Sequence, residues 1–176
     1  GMLIWMQMDA DKTHDFKRTA MLCGFGFLKG ASIGPLMSAL IFIDPAIIMT
    51  ALMGTITIFI CFSLSALVAK RSSYLYLGGI LSSALSLMFF LSLANMFFGS
   101  VHLYNLQLYG GLMVFSGFVI FDTQLVLEKT IMGDRDFAGH AANLFVDFVA
   151  IFIRLAIIIA KMNEKKSDNK KRNGNR

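Results

Sequence analysis

Long apolar runs separated by short polar or turn-forming stretches make up most of this chain. A polar segment, DADKTHDFKR, leads to a first run at about residues 19–43, and Asp44-Pro45 turns it into a second at about 46–69. Lys70-Arg71-Ser72-Ser73 reverses the chain into a third at about 74–98. Residues 99–102 precede a fourth at about 103–127, and EKTIMGDRD leads to a last apolar segment at about 137–160. Runs of roughly twenty apolar residues are what about 30 Å of hydrocarbon requires of a helix rising about 1.5 Å per residue. The expected fold class is all-α: a polytopic helical membrane protein with four spans plus a fifth apolar segment. By organisation, residues 1–18 are a polar N-terminal segment whose LIWMQM looks like the remnant of an upstream span. Residues 19–160 form a helical membrane domain, and residues 161–176 a basic, disordered tail.

The small residues and the prolines add detail. Gly26, Gly30 and Gly34 recur every four residues as a ridge that another helix can approach closely, and Gly79, Ser83 and Ser86 offer a second such face. Pro35 is expected to kink the first span.

Basic residues indicate sidedness. Lys12, Lys17 and Arg18, then Lys70 and Arg71, then Lys129 and Arg135 fall at alternate ends of the four spans, which predicts that all three groups are cytosolic. The basic tail calls for the same side, yet a complete fifth crossing carries it to the other. Either the last segment is re-entrant, or it crosses and the charge rule is overridden there. Re-entry is favoured, with the tail cytosolic and on the side of residues 128–136.

Composition narrows the function. Apolar residues make up 56% of the chain, which excludes an ordinary soluble domain. The net charge of +5 is concentrated in the tail and in the short connections, the distribution of a membrane face rather than of a nucleic-acid-binding surface. Cys23 and Cys61 fall inside spans, which argues against a disulfide framework or a zinc site. No cofactor is indicated. His14 reads as solvated and His102 as interfacial.

Two carboxylates fall at membrane depth: Asp122 in VIFDTQLVLEK and Asp147 in HAANLFVDFVAIFIRLAIIIAK. An ionised carboxylate in hydrocarbon is costly, so such residues face protein or water and are functional candidates. Residues seven apart on a helix differ by about 20°, so His140, Asp147, Arg154 and Lys161 form one polar stripe, with Asn143 one turn before Asp147. His140 and Lys161 also suit end residues that snorkel. Asp122 lies roughly 9 Å inside the end of the fourth span and Asp147 roughly 10 to 15 Å inside the last, so an antiparallel pairing places them in one layer. Two carboxyl groups that close cannot both ionise cheaply, and they form a proton-sharing pair. Lys29, near the middle of the first span, either balances that pair, snorkels, or marks a span that begins later.

GFVIFDTQLVLEK, GDRDFAGHAANLFVDFVAIF and GFLKGASIGP resemble the transmembrane Bax inhibitor motif family, over about residues 19–164. The resemblance implies an endoplasmic reticulum membrane protein that lowers luminal calcium through a pH-sensitive leak and suppresses cell death with anti-apoptotic Bcl-family partners. It maps the family's acidic sensor pair onto Asp122 and Asp147, which would also be transient calcium ligands. Two departures stand out. The chain begins near what resembles the end of the family's second segment, which favours self-association. The arginine that latches the sensor in bacterial relatives is absent at Trp5-Met6-Gln7, leaving Lys29 and Arg18 as substitutes and Arg154 as a further basic group.

The expected function is thus a leak passing calcium ions and opened by protons, within the lipid bilayer. The alternative is a non-conducting adaptor acting through Bcl-family partners. An enzyme is not expected. Gly133-Asp134 lacks the Gly-x-Gly-Asp setting of intramembrane aspartyl proteases, and Ser116-Gly117 lacks the glycine of rhomboid-type sites.

Overall fold

The computed structural model describes residues 15–70, 76–133 and 137–174, with side chains for 19–70, 76–133 and 138–167. The described residues form five helices: α1 (Asp15–Ile43), α2 (Ala46–Val68), α3 (Leu77–Phe98), α4 (Val101–Ile131) and α5 (Phe137–Gly174). All five contain a stretch long and apolar enough to cross a membrane. α1 continues through Pro35, and the Asp44 carboxylate accepts from Ala46 N at 2.9 Å, which satisfies a free donor at the start of α2. α3 ends on Gly99 in the left-handed conformation (φ 57°), and its N–H closes on Asn95 O at 2.8 Å. A side chain there would be strained, so glycine permits the tight turn into α4.

α5 is the central helix, packed against α1, α2 and α4. α3 packs on α4 alone, at the edge of the bundle. A small-residue core of Leu40, Ile47, Ala51, Ala156 and Ala160 joins α1, α2 and α5. The outer surface is apolar, with Phe42, Phe97 and Met113 among the exposed side chains, while Thr55, Ser116, Gln124, His140 and Asp147 are buried. Polar groups inside and hydrocarbon outside is the arrangement of a protein solvated by lipid. Buried hydroxyls bond within their own helices, as Thr55 does to Ala51 O at 2.7 Å.

Three expectations are corrected. The last segment does not re-enter: α5 is unbroken, since from Ala141 to Ala160 it contains neither proline nor glycine, and its polar residues find partners along α4. The tail expected to be disordered from Lys161 continues the helix to Gly174, because extending an existing helix carries no nucleation cost. The tail and residues 128–133 lie at opposite ends of the bundle, not at one end. Asn163 Nδ2 lies 3.5 Å from Asp44 Oδ2 and Lys161 Nζ lies 2.8 Å from Asn105 Oδ1, so the tail leaves the bundle at the end holding the α1–α2 and α3–α4 turns. Lys70 and Lys129 lie at the opposite end.

The face expected at Gly79, Ser83 and Ser86 is not the one through which α3 packs. α3 approaches α4 through Gly78 against Phe121, while Leu81 meets Gly117 and Met88 meets Gly110; nothing lies within 4 Å of the Cβ position at Gly79. The ridge of Gly26, Gly30 and Gly34 is likewise open.

Candidate functional site

α4 and α5 run antiparallel, and their register is set by three polar contacts. Asp147 meets Asp122, Arg154 meets the Phe115 ring at 4.3 Å, and Lys161 meets Asn105 with its ammonium 4.1 Å over the Tyr104 ring. Each two-turn step along α5 therefore finds an earlier position on α4. The polar stripe at intervals of seven faces α4, and the two aspartates share a layer, as their counted depths require.

Asp147 is buried, with 4% of its surface exposed, and Asp122 is half-buried. Their carboxyl groups face each other within reach of a hydrogen bond. Two carboxyl groups this close can hydrogen-bond to each other only when one of them carries a proton. Asp147 Oδ2 is buried without a hydrogen-bond partner. The cation bearing on the pair is Lys129, two turns beyond Asp122 on α4. About one turn away in the other direction lie Val119 and Ile151, each with 0% exposure. By helical rise these two buried apolar residues lie between the acid pair and Arg154.

Other predicted site residues are placed separately. His140 is buried two turns before Asp147 on α5, and Asn143 is half-buried between them. Arg154 donates from Nη1 to Ala150 O at 3.0 Å and stacks on Phe115, away from the aspartates. Lys29 lies 5.9 Å from the Phe25 ring on its own helix. Arg18 lies outside the residues whose side chains are described. Among the described residues no three His, Cys, Asp or Glu side chains gather as a metal site.

Two residues of the site were missed from sequence. Gln124, 2% exposed, sends Nε2 to Ala66 O at 3.1 Å and Lys70 O at 3.3 Å. It thereby satisfies a free carbonyl in the last turn of α2 and ties that end to the helix bearing Asp122. An amide in an apolar helix one turn from the loop was the available signal. Gly111 is the second: a Cβ there would collide with Arg154 Nε, so its absence allows the guanidinium to lie against α4. No sequence signal distinguished Gly111 from Gly110.

These features define a polytopic all-α membrane protein with two neighbouring aspartates between two central helices. Residues 1–164 match the family described as "Inhibitor of apoptosis-promoting Bax1", and the chain belongs to that family. It is 52% identical over 173 residues to Bax inhibitor 1 of Bos taurus, covering 97% of this chain and 72% of the relative. Bax inhibitor 1 of Homo sapiens is 49% identical with the same coverages. Bax inhibitor 1 of Arabidopsis thaliana is 43% identical over 167 residues, 94% of this chain and 67% of the relative.

Proposed function

We propose that this protein is a pH-sensitive calcium leak of the endoplasmic reticulum membrane that lowers luminal calcium and suppresses cell death, with Asp122 and Asp147 as its proton sensor. The observation that carries this reading is the apposition of the two carboxyl groups across α4 and α5. Whether the two groups attract or repel depends on proton number, so a change of protonation alters how the two helices are held together. Adding the second proton discharges the pair, releases Lys129 and favours the open state. When ionised, the same oxygens are ligands of the type calcium takes in passing. The Val119–Ile151 layer is the barrier of the closed state, since an apolar constriction excludes a hydrated ion.

The names of the relatives support the cell-death part of the proposal, and anti-apoptotic Bcl-family proteins are the proposed partners. No enzymatic activity is proposed. The basic tail is proposed to face the cytosol, and since it lies at the opposite end of the bundle from Lys70 and Lys129, this reverses the cytosolic side expected for those two residues.

The test is calcium efflux from liposomes containing only this chain, measured between pH 5 and 8. Acid-stimulated efflux that becomes flat with pH in Asp122→Asn and Asp147→Asn supports the leak. Vesicles that retain calcium throughout, with the chain correctly inserted, overturn it in favour of a non-conducting adaptor.

A further inference from the structure

Arg154 has few of its needs met within the chain. A guanidinium carries five N–H donors and keeps its charge in proteins. Here one nitrogen bonds Ala150 O and the plane stacks on Phe115, while no described carboxylate acts on it. The residue lies about two turns inside the apolar stretch of α5 that ends at Ala160, where an uncompensated charge is expensive. It also lines a cleft of about 560 Å³, whose other walls include Leu85, Phe89 and Phe90 of α3 and Gln107 of α4. Phe89 and Phe90 are exposed, so this wall is open to lipid. A second hollow of about 310 Å³ shares Ser92, Gln107 and Arg154 and continues past Asn95 to Tyr104, toward the α3–α4 turn. Asn95 Oδ1 is buried without a hydrogen-bond partner.

We propose that this cleft binds a long-chain carboxylate, its head group on the Arg154 guanidinium and its hydrocarbon chain along Leu85, Phe89 and Phe90. Charge complementarity selects the head group. A planar carboxylate takes two parallel N–H bonds from a guanidinium, and such charge-assisted pairs are among the strongest hydrogen bonds available. The apolar wall selects the tail, and the volume falls in the range of small-ligand sites. Depth favours a single-chain acid over a phospholipid, because Arg154 lies roughly 10 Å inside the end of the apolar stretch while a phospholipid's phosphate stays at its edge. A neutral fatty acid can reach that depth, lose its proton to water in the hollow beside Asn95 and Tyr104, and remain as the carboxylate on Arg154. This site lies beyond Val119 and Ile151 from the aspartates, and the proposal is independent of calcium conduction.

The experiment uses the full chain in phosphatidylcholine nanodiscs, with the fluorescent fatty acid cis-parinaric acid and its methyl ester as probes. The acid is expected to bind at least about tenfold more tightly than the ester, a difference that follows from losing one charge-assisted pair. Arg154→Gln should remove this preference and Arg154→Lys retain part of it. Oleate should displace the bound probe, and phosphatidic acid should not. Equal binding of acid and ester by the unmodified chain overturns the proposal without recourse to any variant. So does an acid preference that survives in Arg154→Gln, while displacement by phosphatidic acid assigns the cleft to phospholipid head groups instead.

Discussion

Lys161 donates from Nζ to Asn105 Oδ1 at 2.8 Å, joining the last apolar turns of α5 to the first turns of α4. Since α5 is unbroken back to Phe137, this contact places the tail and residues 128–133 at opposite ends of the bundle. Tags inserted after Gly133 and after Ser167 should therefore show opposite protease accessibility in sealed vesicles. Protection of both, or cleavage of both, would contradict the structure.

The acid pair should tolerate amide better than hydrocarbon. Asn at 147 still donates a hydrogen bond to Asp122, whereas Asp147→Leu leaves the Asp122 carboxyl half-buried without its partner, at a cost of about 1–3 kcal/mol. Thermal unfolding in mild detergent should rank Asp147→Asn close to the unmodified protein and Asp147→Leu below it. In flux assays, Asp122→Asn combined with Asp147→Asn should add little to either alone, because residues acting as one sensor are non-additive.

Gln124 should hold the end of α2 in place. Gln124→Leu preserves volume but leaves the carbonyls of Ala66 and Lys70 without this donor, costing about 1–3 kcal/mol. Amide hydrogen exchange should quicken in the last turn of α2 while the middle of that helix stays protected. Unchanged exchange there would remove Gln124 as a tie between α2 and α4.

The α3–α4 contact should discriminate between adjacent glycines. A Cβ at Gly78 would stand 2.7 Å from the Phe121 ring, and nothing lies within 4 Å of that position at Gly79. Gly78→Leu is therefore expected to lose about 1–3 kcal/mol through overpacking, and Gly79→Leu little or none. Melting temperatures of the two variants in one detergent check this. Similar values would mean that α3 is not seated through Gly78.

How much of this was legible in the sequence follows from which properties are local. The recurrence of roughly twenty-residue apolar runs determined the number of helices and most of their ends, because helix rise against bilayer thickness is a local condition. Helical period alone placed His140, Asp147, Arg154 and Lys161 on one stripe, and counted rise brought Asp122 to the depth of Asp147. Only the tertiary structure decided which helix that stripe faces, that the residues between Arg154 and the aspartates, Val119 and Ile151, are buried, and that Gln124 reaches α2. It also decided between Gly78 and Gly79, and between the two ends of the bundle for the tail. The reason is that lipid and the protein interior are similarly apolar, so hydropathy along a span does not report the rotation of a helix about its axis or the identity of its neighbours. Those are set by close packing between helices far apart in the chain, where a single missing Cβ or one hydrogen bond selects the arrangement.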